Sequence, residues 1–166
     1  KRIAAAKRAR RIYDSLRGEE PNLAFLMLGD FNDEWHNQSL RETLQAKPPT
    51  EQEPETRGEL INMMAALDPN RGSHRYRGVW SYLDQIIVSE NTLAPLGNWS
   101  IQPSTAQVVR HPFLLESDPK YPGQKPFRTF IGFRYHGGFS DHLPVFVDLK
   151  RQRTEDTQPS QPAERL

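Results

Sequence analysis

Three short segments in this 166-residue chain could do chemistry, because each sets ionisable or amide side chains against apolar ones. The first is Gly29-Asp30-Phe31-Asn32-Asp33, directly after the apolar run Leu23 to Leu28. The second is Ser81-Tyr82-Leu83-Asp84-Gln85-Ile86-Ile87-Val88-Ser89, with Asp84 at the head of a stretch otherwise made of Ile and Val. The third, Gly138-Phe139-Ser140-Asp141-His142-Leu143-Pro144-Val145, is again a polar cluster abutting a strand-like run. Carboxylates and imidazole can move protons, and carboxylate oxygens hold hard divalent cations. Each segment also has a plain explanation. Asx residues are common in turns after strands, a carboxylate at a strand start can cap a loop, and Asp-His before Pro suits an edge-strand turn.

The elements around these segments decide between the two accounts. From Arg2 to Leu16, the residues Ile3, Ala6, Ala9, Tyr13 and Leu16 recur at near-helical spacing, and Gly18 and Pro21 supply a stop signal, which predicts an amphipathic helix. The continuous run Leu23 to Leu28 predicts a strand buried on both faces. A helix leading into a buried strand suggests α/β layering, and strand ends are where such folds present functional side chains. Ser39 and Glu42 have the spacing of a capping box, with Leu40 and Leu44 forming one apolar stripe. Lys47 to Gly58, with three prolines, reads as a surface loop. Leu60, Met63, Met64 and Leu67 predict a helix face packed in the core. Leu83 to Val88 and Leu143 to Leu149 read as strands, with short strands near residues 106–109 and 128–133. Arg151 to Leu166 reads as a polar tail.

Composition narrows the classes of partner. Twenty-two Lys and Arg against 21 Asp and Glu leave a net charge of +1, so any affinity for phosphate must be local rather than a property of the whole field. This near-neutrality disfavours a dedicated duplex-DNA binder. The chain has no cysteine, which excludes disulfides, thiolate metal sites and a cysteine nucleophile, and leaves the compartment open. No apolar stretch approaches the ~20 residues that span a bilayer. An apolar fraction of 36% is low for the length. It implies either long solvated loops or a core that lies partly outside this chain, and a basic helix that begins at once suggests the second.

The order of the three segments resembles the C-terminal signature of the endonuclease/exonuclease/phosphatase superfamily. A fixed four-residue string arises by chance in a chain of this length only about once in a thousand times, and two occur here in the family's order. The likeness extends over roughly Lys1 to Leu149. It implies part of a four-layer α/β sandwich, with mixed, mostly antiparallel sheets flanked by helices. It also implies hydrolysis of phosphate esters with Mg²⁺ or Mn²⁺.

Carried over residue by residue, the resemblance gives Asp30 the role of orienting or deprotonating the attacking water, with Asn32 its hydrogen-bonding neighbour. Asp141 matches a metal-site carboxylate. His142 matches the histidine that contacts the scissile phosphate, and Asp84 the carboxylate behind that imidazole. The chemistry agrees, since an anionic ester repels hydroxide unless its non-bridging oxygens are neutralised and a base produces the nucleophile. The family's early strands, with an Asn and a metal-binding Glu, are not in this sequence. Residues 1–150 are therefore expected to be the C-terminal portion of a domain, 151–166 a tail, and an N-terminal half of the same domain a partner.

Two loops interleave cations with aromatics, Arg71 to Arg77 and Arg128 to Phe139. Arg75, Arg77, Arg134 and Tyr135 are the candidate substrate contacts, although stacked Arg-aromatic pairs also stabilise irregular loops. The basic residues of the first helix fit a solvated face better than a nucleic-acid surface. His36 and His111 fit structural or exposed positions better than ligand positions. Nuclease, phosphodiesterase and small-molecule or lipid-headgroup phosphatase all fit the phosphate ester as substrate class. A catalytically silent domain that keeps the fold for binding is the alternative of a different class.

Overall fold

The computed structural model describes residues 1–49, 58–94 and 99–151. Most of the expected Lys47 to Gly58 loop, and the expected tail beyond residue 151, lie outside the described residues.

The chain opens with α1 (Arg2–Glu19), rich in Ala, Arg and Lys, which lose little entropy in a helix. Ala6 and Tyr13 are its buried residues, whereas Ile3 and Leu16, expected on the same stripe, are 47% and 40% exposed. The helix continues through Gly18 and stops just before Pro21, whose missing N–H and fixed φ end it.

β1 (Leu26–Asp30) follows, then a π-helical turn (Ser39–Leu44), β2 (Ala46–Lys47) and β3 (Leu60–Asn62). A hairpin of β4 (His74–Tyr76) and β5 (Val79–Ser81) leads into β6 (Asp84–Ser89). β6 is the centre of a four-stranded sheet in the order β1-β6-β3-β2. It pairs antiparallel with β1 and β3, while β2 joins β3 in parallel. Its Ile86, Ile87 and Val88 are at most 3% exposed. Burial of each such side chain contributes about 1.5–3 kcal/mol before entropy is counted.

Alternation along β6 splits the core in two. Ile87 faces Tyr13, Leu40, Leu44 and Leu60, so α1 and the π-helical turn cover one face of the sheet. Ile86 and Val88 face Ile101 and Ala106 of β7 (Trp99–Val108), with Val145 and Val147 of β12 (Val145–Arg151) packed against them. β7 and β12 pair antiparallel with an irregularity between Phe146 and Asp148. Helix, sheet and sheet thus form three layers among the described residues, a mixed α/β fold of mostly antiparallel strands. Two further ribbons follow, β8 (Leu115–Ser117) with β9 (Gln124–Pro126) and β10 (Phe130–Ile131) with β11 (Arg134–Tyr135), and β10 lies within the short strand expected near residues 128–133.

Three expectations are corrected. The strand buried on both faces is β6, not the first one: β1 starts three residues later than expected, and Leu26 and Leu28 are 41% and 62% exposed. Among the described residues β1 has a sheet neighbour on one edge, and the Leu26 and Leu28 side of it is open. The expected helix from Leu60 is instead β3 followed by a single 3₁₀ turn (Met63–Ala66), in which the Asn62 side chain accepts from the Met64 N–H. Pairing of Leu60, Ile61 and Asn62 with β6 overrides the helical spacing, although Met63 and Met64 are buried as expected. Finally, Ser39 does not cap a helix, since its hydroxyl donates to the buried carboxylate of Asp33.

Candidate active site

β1 ends and β6 begins on the same rung of the sheet, where Asp30 is paired with Asp84. Past that rung the chain turns, and Asn32 takes a left-handed φ of 52°, which Asn tolerates better than most residues. The turn lets Asn32 donate twice to the Asp30 carboxylate, from its backbone N–H at 2.8 Å and from Nδ2 at 3.0 Å. Arg2 of α1 fixes the turn in place by donating to the Asn32 carbonyl at 2.9 Å.

The third segment arrives from the far end of the chain. His142 forms an isolated antiparallel bridge with His74 of β4, and the Leu143 N–H donates to the Ser73 carbonyl at 2.8 Å. This bridge brings His142 Nδ1 to 2.7 Å from Asp84 Oδ2, which also accepts from the Ser73 hydroxyl. A carboxylate at Nδ1 fixes the proton there, so Nε2 is the nitrogen left for another partner. The side chains are 21% and 15% exposed, sheltered enough for the pair to be stronger than a surface contact. Gly72 is required beside them, because a Cβ at that position would lie 2.3 Å from the Ser81 backbone. Gly138 performs the same service for the loop to Asp141, where a Cβ would lie 2.2 Å from the Phe127 carbonyl oxygen.

The donor atoms suit a divalent cation. One ligand atom each from Asp30, Asp84 and His142 lie within 4.8 Å of one another, and the same holds for His74, Asp141 and His142. Carboxylate oxygens with imidazole nitrogen form the type of set that binds Mg²⁺, Mn²⁺ or Zn²⁺. An apolar hollow of about 400 Å³, lined by Phe25, Leu26, Trp99 and Ile101 among others, shares no residue with this cluster.

The candidate substrate contacts divide. Arg75 is corrected: it is 8% exposed and donates to Gly78 O, Pro122 O, Gln124 O and the Asp118 carboxylate, so its guanidinium is consumed in holding the loop together. Arg77 is exposed over the Tyr76 ring, and Arg134 and Tyr135 are exposed on the β10–β11 ribbon. That ribbon lies a few residues before Asp141 in sequence. His36 is exposed, and His111 accepts from the Phe113 N–H at the start of a 3₁₀ turn.

Sequence reading missed Ser73 and His74. Ser73 is buried and bound to Asp84, and His74 stacks on His142 with ring centroids 4.7 Å apart. Burial, and then the neighbouring His142, push the His74 imidazole below its ordinary 6.5. Spacing along the chain gives no signal for either, since the strand bridge alone makes them neighbours of the third segment.

A family model described as endonuclease/exonuclease/phosphatase family matches residues 1–151. No curated protein and no solved structure matches the chain. With nine-tenths of its length covered by that model, the chain belongs to the endonuclease/exonuclease/phosphatase family, whose members are phosphate-ester hydrolases that usually use a divalent metal.

Proposed function

We propose that this chain hydrolyses a phosphate ester in the cleft bounded by Asp30, Asp84 and His142. One observation carries the reading: donor atoms of these three side chains, drawn from segments far apart in sequence, lie within 4.8 Å of one another. Asp30, with both oxygens held by Asn32, orients the attacking water and takes its proton. Asn32 keeps that carboxylate aimed. His142 presents Nε2 to a non-bridging phosphate oxygen, while Asp84 and Ser73 fix the ring from behind. Asp141 offers an exposed carboxylate to Mg²⁺ or Mn²⁺, which when bound supplies positive charge against the phosphoryl oxygens. Arg77, Arg134 and Tyr135 contact the part of the substrate beyond the scissile group, and Arg75 supports their loop.

Residues 1–150 act, in this reading, as the C-terminal portion of a four-layer sandwich whose N-terminal half is the partner. The open face at Leu26 and Leu28 supports it. The test is Mg²⁺-dependent release of nitrophenolate from bis-nitrophenyl phosphate by the chain, alone and joined to such a half. Asp30→Asn and His142→Ala should each slow release by about 10²–10⁴. Unchanged rates remove the assignment. Plasmid nicking set against inositol-phosphate turnover separates a nuclease from a small-molecule phosphatase.

A further inference from the structure

We propose that His74, Asp141 and His142 form a nitrogen-rich cation site that takes Zn²⁺ in preference to Mg²⁺. One ligand atom from each of the three side chains lies within 4.8 Å of the others. The set holds two imidazoles and one carboxylate, and imidazole nitrogen selects Zn²⁺ and its neighbours, whereas Mg²⁺ keeps oxygen ligands and water. Asp141 is exposed, so its carboxylate can rotate to complete the shell without moving the backbone.

Two further observations point to a ligand at this place. The Nδ1 atom of His74 is buried with no hydrogen-bond partner among the described residues, a state that costs free energy unless something else satisfies it. His142 gives its Nδ1 to Asp84, which is in turn bound by Ser73. A carboxylate behind the ring is the usual support of a metal-ligating histidine, because it fixes the tautomer and raises the basicity of the other nitrogen. The isolated bridge between His74 of β4 and His142 holds the two rings on neighbouring backbone positions, so backbone pairing fixes their spacing.

The inference deepens the reading of the cleft as a phosphate-ester site and gives that site a regulator. An ion held by His142 Nε2 occupies the nitrogen that would otherwise meet the phosphate, so Zn²⁺ and substrate compete for one atom.

The test reads binding rather than turnover. The full chain, labelled with ¹⁵N at histidine, is titrated with Zn²⁺ and, separately, with Mg²⁺ while the imidazole nitrogens are observed by NMR. At equimolar Zn²⁺ the His74 and His142 signals should move together, with His36, His111 and His136 as internal references that stay in place. Mg²⁺ in about tenfold excess should leave His74 unmoved. His74→Phe keeps a ring against His142 but removes both nitrogens, and should weaken Zn²⁺ binding about tenfold or more; Asp141→Asn should also weaken it. Movement of His142 without His74 would place the ion among Asp30, Asp84 and His142 and overturn the site. Equal Zn²⁺ affinity in His74→Phe would overturn it as well. Because no substrate is present, loss of the hydrolase reading through the nitrophenyl assay leaves this result standing, and the reverse also holds.

Discussion

The Nδ1 of His142 lies 2.7 Å from Oδ2 of Asp84, although 58 residues separate them. Neither residue is placed by its local sequence alone. Asp84 heads β6, while His142 is carried to it by the bridge with His74. The contact ties one ring nitrogen to the sheet and leaves Nε2 as the other donor or acceptor of the ring.

Replacement of Asp84 should therefore act on the rate more than on substrate affinity. Asp84→Asn keeps the size of the side chain but removes the charge that fixes the Nδ1 proton. It is expected to lower kcat by about 10² or more with KM within about threefold. Steady-state kinetics with the nitrophenyl ester, beside circular dichroism of the variant, checks this. A change confined to KM would show that Asp84 only shapes binding.

Gly138 should resist substitution for steric reasons. Gly138→Ala places a methyl group 2.2 Å from the Phe127 carbonyl oxygen, where backbone and not a flexible side chain must yield. About 1–3 kcal/mol of stability is expected to be lost, with a lower Tm. Gly132→Ala, where a Cβ meets nothing within 4 Å, carries only the strain of a left-handed φ of 59°, which Gly138 does not share, so the loss in Gly138→Ala reads the steric clash.

The Arg75 to Asp118 pair gives a prediction for pH. The backbone N–H of Lys120, and then that of Tyr121, donate to Asp118 and hold its carboxyl below the ordinary 3.8 against partial desolvation. A carboxyl lowered on folding contributes stability above its unfolded value, and that contribution is lost as pH falls through the folded one. Urea midpoints measured downward from pH 5 should fall less steeply below about pH 4 in Asp118→Asn than in the parent. Arg75→Met should lower the urea midpoint at neutral pH, because it removes the guanidinium that donates to Asp118 Oδ2 and to three backbone carbonyls.

Chelation should silence hydrolysis. Removal of divalent ions with EDTA is expected to lower the rate by about 10² or more, and Mg²⁺ or Mn²⁺ should restore it. Asp141→Ala should raise the Mg²⁺ concentration needed for half-maximal rate. A rate indifferent to chelator would rule out the metal-assisted reading.

The segments of the candidate site stand out in the sequence because each is locally distinctive. Asp30, Asp84 and Asp141-His142 stand at the ends of apolar runs, and a polar residue at such a boundary is visible without coordinates. The helix of the first 19 residues and the strand after Asp84 were legible for the same reason, since periodicity and β-branched content are properties of neighbours in the chain. The four segments that misled were those where distant partners decide. Leu60 to Leu67 has helical spacing, yet its first three residues find strand partners on β6. Leu23 to Leu28 is apolar throughout, yet one side of β1 stays open. Ser39 finds the Asp33 carboxylate in place of a helix end, and Arg75 finds Asp118, 43 residues away, in place of a substrate.

The sequence by itself determined the family and the chemical types at the candidate site, because these depend on residues within a few positions of each other. The tertiary structure alone decided which side chains support those groups. Ser73 and His74 join the candidate site through one isolated bridge between positions 68 apart, a contact formed by backbone hydrogen bonding, for which no spacing along the chain is a signal.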